Sequence, residues 1–139
     1  MFKKIFNKNE KNVVDKNVLV AALLIHAAKI DENYTNVEKE IIKKALIDLS
    51  NISSSESDKI LKDAEKKESE SNQIIEFTKE IKKNSMEFRL KIIEILWKIV
   101  YSDGSNDSFE SNLIRRVCGL LYVSDKDSGD IKLKIKNIK

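Results

Sequence analysis

The sequence predicts an all-α domain of about seven helices, organised around two pseudo-repeated helical hairpins. Its 139 residues contain no proline and only three glycines, while Lys and Ile are the commonest residues and Glu and Leu are frequent. That usage favours helices over a turn-rich β architecture. Apolar residues also recur at helical spacing, as in Val20, Leu23, Leu24 and Ala27. Finally, the chain repeats itself: one offset of 72 residues carries Asp31 to Asp103 and Glu38 to Glu110. The same offset carries Val20, Leu23, Leu24 and Ala27 to Ile92, Ile95, Leu96 and Ile99, and Ile41, Ile42, Ala45 and Leu49 to Leu113, Ile114, Val117 and Leu121. Each unit is a helix–loop–helix with matched acids at its tip.

The elements follow in order. Phe2, Ile5 and Phe6 among Lys3 and Lys4 give a short amphipathic start, and Asn7–Asn12 a polar linker. A first helix spans about Asp15–Ile30, a loop Asp31–Thr35, and a second helix Asn36–Leu49. Ser53–Ser57 opens a third, whose Ile60, Leu61 and Ala64 carry it to about Lys67. After a break at Ser69–Asn72, a fourth holds Ile74, Ile75, Phe77, Thr78 and Ile81. The fifth starts at Asn84 or Ser85 and reaches Tyr101; the Asp103–Asp107 loop precedes a sixth ending near Leu121. Ser124, with Asp127 three residues on, reads as the N-cap of a seventh. Ile131, Leu133 and Ile135 alternate with lysines, so a strand or a tail competes there. The expected division is an N-terminal segment 1–12, a helical domain 13–130, and a basic tail or helix end 131–139.

A chain of this length suits one core. The single Cys118 excludes an intrachain disulfide framework and fits a reducing compartment. Met1–Phe6 lacks the apolar stretch of a secretory signal. The longest apolar run, Val18–Ile25, is far shorter than the roughly 20 residues of a spanning helix. A cytoplasmic protein is expected. The net charge of +3 divides into +3 over residues 1–11, +4 over 131–139 and −4 between them. An acidic body with basic ends is not the footprint of a nucleic-acid-binding domain. The basic ends suit an anionic membrane surface, so peripheral contact at the inner face of the membrane is an alternative expectation.

At about 100° per residue, Asp31 lies within roughly 20° of the direction of Val20 and prolongs the buried stripe, away from a solvated face carrying Ala22, His26 and Lys29. Asp103 bears the same relation to Ile92. Glu38 and Glu110 lie on the apolar stripes of the second and sixth helices. Two readings compete. Thr35-x-x-Glu38 and Asp107-x-x-Glu110 match or approach the capping box, which accounts for both glutamates without a ligand. Asp31 and Asp103 instead meet the negative end of a helix dipole and call for a compensating partner. Asp31, Asn33, Thr35 and Glu38, and Asp103, Ser105, Asp107 and Glu110, offer the all-oxygen sets that Ca²⁺ or Mg²⁺ prefers. Neither loop is an EF-hand, because the acid-to-acid span is too short and no glycine stands sixth. The expected metal ligands are Asp31, Glu38, Asp103, Asp107 and Glu110, and Gly104 favours the second loop.

At these residues the chain resembles the TerB-like, tellurite-resistance-associated family. The segments are Ala22 to Asp31 with Glu38, and Leu96-Trp-Lys-Ile-Val-Tyr-Ser-Asp-Gly104 with Glu110, similar to the family's LW-x-hydrophobic-A-x-ADG-x(5)-E signature. Glu76-Phe77-Thr78 and Leu120-Leu-Tyr-Val-Ser124 also fit, and the resemblance covers about residues 17–130. Glu32 replaces the family's usual glycine, and Ser102 a common alanine. The resemblance implies an all-helical fold of two related halves and a role in bacterial stress responses, tellurite resistance among them. It also implies metal-binding acids that map to Asp31, Glu38, Asp103 and Glu110.

His26, the only histidine, lacks zinc-ligand company. Cys118 reads as a small core residue. Trp97 and Tyr101 read as wedges against a neighbouring helix, and Arg115–Arg116 as a solvated or locally paired face, with an acidic partner as the alternative. No nucleophile–base arrangement or phosphate-binding glycine loop is present. The expectation is a non-enzymatic interaction domain with a protein partner and a divalent cation, most plainly Ca²⁺, at its acidic tips. No small-molecule substrate or nucleic acid is expected. The alternative is a membrane-surface adaptor held by its basic amphipathic termini.

Overall fold

The run Val18–Ile25 becomes the centre of the molecule. In the computed structural model, which describes the backbone of residues 16–31, 34–71, 73–102 and 108–138 and the side chains among these except at 31, 108–111 and 138, every residue of this run is buried. It belongs to helix α1 (16–28), which tightens into a 3₁₀ turn at Lys29–Asp31. A helix apolar on all sides must be covered on all sides. This corrects the expected solvated face, because Ala22 is wholly buried. A methyl side chain lets a neighbouring element pass close to the α1 backbone. On that face the longer His26 and Lys29 reach the surface.

The remaining helices are α2 (Asn36–Ser50), α3 (Ser54–Glu70), α4 (Ile75–Ile81), α5 (Met86–Tyr101), α6 (Ser108–Leu120) and α7 (Asp125–Ile138). Among the described residues there are thus seven α-helices and no strand. Four of the starts share one local cause. Thr35, Ser53, Ser85 and Ser124 each accept a hydrogen bond from the N–H three residues on, the first three from extended backbone. Asn51 closes α2 in the left-handed region, at φ 53°, where asparagine is tolerated. Asn17 accepts a 2.6 Å hydrogen bond from the Ser50 hydroxyl, tying the start of α1 to the end of α2.

Helix α5 organises the packing, lying against α2, α6 and α7, while α2 also meets α3, and α6 also meets α4, α7 and the 3₁₀ turn. From Ile92 onward it buries Ile92, Ile93, Ile95, Leu96, Trp97, Ile99, Val100 and Tyr101. The Trp97 and Tyr101 rings stack at 6.0 Å, and the indole N–H donates to the Ser128 hydroxyl of α7 at 3.2 Å. Residues 131–138 continue α7, whose core side is Ser128, Ile131 and Ile135, with Leu133 in solvent. The apparent alternation arose because Leu133 is apolar yet belongs to the outer face.

The stripe of α6 is buried as read: Leu113, Ile114, Val117 and Leu121. That of α2 is rotated. Glu38, Ile42, Ala45 and Leu46 are buried, whereas Ile41 and Leu49 are only partly covered and line an open groove of about 400 Å³ against Lys91, Ile95 and Lys98 of α5. Helix α6 ends in a Schellman closure, with Val123 N–H donating to the Cys118 carbonyl at 2.9 Å and Tyr122 N–H to the Gly119 carbonyl at 3.4 Å. Tyr122 occupies the left-handed position at φ 58°, at a cost of about 1 kcal/mol relative to glycine. Arg89 caps this end, donating from Nη1 to the Leu121 carbonyl at 2.7 Å.

Candidate functional site

The α1–α2 tip carries Glu38, the member of the first acidic set whose side chain is described. Lys29–Asp31 ends the first helix in a 3₁₀ turn that packs against α6, the helix bearing Glu110 near its start. Two elements from opposite units of the sequence repeat therefore meet here. Four residues after the turn, Thr35 caps α2 with a complete capping box. Thr35 N–H donates to Glu38 Oε1 at 2.8 Å, the Thr35 hydroxyl donates to the same oxygen at 3.1 Å, and Glu38 N–H donates to Thr35 Oγ1 at 3.1 Å. These bonds allow a carboxylate to stand at 4 % exposure, since a buried charge requires partners.

The site has a third contributor that sequence reasoning missed. Helix α3 runs to Glu70, beyond the expected end, and its Ser57–Ile60–Leu61–Ala64 stripe leads one turn on to Glu68. Glu68 Oε1 takes Lys29 Nζ at 2.8 Å, and Glu68 Oε2 lies 3.4 Å from His26 Nδ1. Glu65 Oε2 lies 3.8 Å from Lys39 Nζ, which also sits 4.9 Å over the Tyr34 ring. The carboxylates of Glu65, Glu38 and Glu68 thus surround the half-buried Tyr34. Its hydroxyl is shut off from solvent and meets no acceptor at hydrogen-bonding geometry among the described residues. Burial first, then Glu65, then the charges of Glu38 and Glu68 push the phenol far above its usual range, so it stays protonated. The signal for Glu68 was its position four residues past Ala64, on the same face of α3.

Of the expected metal ligands, Glu38 is described in full, and Asp31 by its backbone. The side chains of Asp31, Asp103, Asp107 and Glu110 lie outside the described residues. Among the described residues no three His, Cys, Asp or Glu side chains are placed to hold a metal ion. Glu65 and Glu68 are matched to Lys39, Lys29 and His26. Chemically, the described tip is a carboxylate anchorage: one buried glutamate fixed by its own helix cap, beside two neutralised by cations.

The single cysteine is inert in this setting. Cys118 is buried on α6, and burial pushes its thiol up, partly offset by the Ser128 hydroxyl. Across α2 and α3, Asp58 and then Glu40 hold the Lys43 ammonium above its usual value. No described helix is long and apolar enough to cross a membrane.

The family model described as Tellurite resistance protein TerB matches residues 17–133, from the start of α1 into α7. No curated protein matches the chain, and no solved structure does.

Proposed function

The chain belongs to the TerB family, and from that premise we propose that it is a non-catalytic binding domain of the bacterial stress response whose acidic helix tips share a divalent-cation site. The observation that carries this reading is the packing of the Lys29–Asp31 turn against α6. It brings the acidic end of one repeat unit beside the helix that bears Glu110. Asp31, Glu38, Asp103, Asp107 and Glu110 would hold the ion, a set of hard oxygen donors suited to Ca²⁺ or Mg²⁺.

Bound there, the cation would supply the positive charge that Asp31 and Asp103 need at the negative ends of α1 and α5. The protein's own residues prepare the place. Thr35 fixes Glu38 in the interior, Lys29 and His26 hold Glu68, and the apolar sides of α1 and α6 keep the turn in register. A ligand that binds only the folded chain raises its stability, by about 2.7 kcal/mol at one hundred times Kd. For a chain of this length that is a rise of about 8 °C in Tm. The test is thermal unfolding of the purified protein with calcium, magnesium or manganese, beside Asp103→Asn and Glu110→Gln. A rise with at least one ion, lost in the variants, supports the reading. An unchanged Tm with all three ions contradicts it.

A further inference from the structure

Two residues at the end of α6 break local rules in opposite directions. Gly119 lies within the helix, where alanine is favoured, yet a Cβ built there would meet nothing within 4 Å. Neither a neighbouring helix nor a close backbone asks for glycine at that position. Tyr122, three residues on, occupies the left-handed position of the closure, where glycine is favoured. Its ring gains little from burial, being 66 % exposed, and lies 5.6 Å from the Lys82 ammonium. The chain places glycine where the fold accepts a side chain, and a large side chain where the fold favours glycine. Clustered violations of this kind mark function more often than folding.

Both residues border one open pocket of about 400 Å³ between α4 and α6, completed by Ile75, Thr78, Lys79, Lys82 and Leu120. Ile75 is an apolar side chain at 47 % exposure. The acids of α4 are engaged elsewhere, Glu76 by Ser71 and Glu80 by Lys83. Among the described residues no carboxylate pairs with Lys79 or Lys82, nor with Arg115 and Arg116, which stand exposed one turn earlier on α6. Lys79 and Lys82 thus flank a concave, largely apolar floor, with no carboxylate paired to either among the described residues. A bilayer surface takes up the continuous apolar face of an amphipathic helix. A pocket that admits one side chain suits a protein anchor ringed by charge.

We propose that the α4–α6 pocket docks an acidic segment of a partner protein. One apolar side chain seats above Gly119 against Ile75 and Leu120, and flanking carboxylates meet Lys79, Lys82 and the arginine pair. Tyr122 forms the wall. None of these residues belongs to the α1–α2 tip, so the inference stands or falls apart from the cation reading.

The test uses the full chain and a random phage-displayed peptide library, followed by fluorescence anisotropy of the enriched peptides made synthetically. Enrichment of acidic peptides with a single apolar anchor is expected, with binding that weakens as salt rises. Gly119→Ala raises Tm by about 2–4 °C. Gly119→Gln, which fills the floor, keeps the fold but weakens peptide binding about tenfold or more, as does Lys79→Glu with Lys82→Glu. Amide shifts on binding centre on Ile75, Lys79, Gly119 and Tyr122. The proposal is overturned if no acidic peptide is enriched, or if enriched peptides bind Gly119→Gln as tightly as the parent. It is also overturned if vesicles of phosphatidylcholine and phosphatidylglycerol, and no peptide, bind in a manner lost in the double lysine variant.

Discussion

Replacing Thr35 with alanine separates the structural work of the α2 cap from everything else at the tip. The change removes the acceptor of the Glu38 N–H, a bond of 3.1 Å. Loss of an N-cap of this kind costs about 1 kcal/mol. It also removes the hydroxyl that donates to Glu38 Oε1 at 3.1 Å. Glu38 is 4 % exposed, so water does not readily replace that donor, and a hydrogen bond to a charged group adds about 1.5 kcal/mol. The Thr35 N–H bond to the same oxygen survives the substitution. Together the loss is about 2–3 kcal/mol, or about 6–9 °C in Tm for a chain of this length. Urea unfolding followed by circular dichroism reads the stability directly, with the slope m unchanged. Thr35→Ser keeps both bonds and stays within about 0.5 kcal/mol of the parent. A loss below about 0.5 kcal/mol for Thr35→Ala, or an equal loss for serine and alanine, would refute the view that this cap holds Glu38 inside.

Other outcomes follow from the same geometry. Tyr34 has a folded pKa raised above that of the unfolded chain, so the stability it contributes is complete below about pH 10 and declines as pH climbs above that value. Tyr34→Phe therefore flattens the alkaline limb of the stability profile. Ser128→Ala leaves the Trp97 indole N–H buried without its acceptor and costs about 1–3 kcal/mol in urea unfolding, with a shift in tryptophan emission.

Periodicity reached the fold where one side of a helix faces the core. The buried residues Leu113, Ile114, Val117 and Leu121 of α6 are ones their spacing singles out, whereas α5 buries Ile93 and Val100 as well as the expected Ile92, Ile95, Leu96 and Ile99. It misled where a stretch of helix is covered on every side, as along Val18–Ile25 with Ala22, and where an apolar residue faces solvent, as at Leu133. Ile41 and Leu49 carry the same lesson: membership of an apolar stripe does not say how fully a neighbouring helix covers it. At the site, Thr35-x-x-Glu38 was legible because a capping box is local in sequence. The pairing of Glu68 with His26 and Lys29 was not, since it spans about forty residues and arises only when α3 lies beside the end of α1. Tyr34 among its carboxylates is hidden for the same reason.

The central claim, that the tips of the two repeat units act as one cation site, is tested most directly by titrating manganese into isotopically labelled protein. Paramagnetic broadening reports which amides lie near the ion. The account predicts saturable broadening that reaches Asp31, Glu38 and Glu110 together and is displaced by calcium or magnesium. Broadening confined to one tip, or scattered over surface acids without saturation, would contradict it.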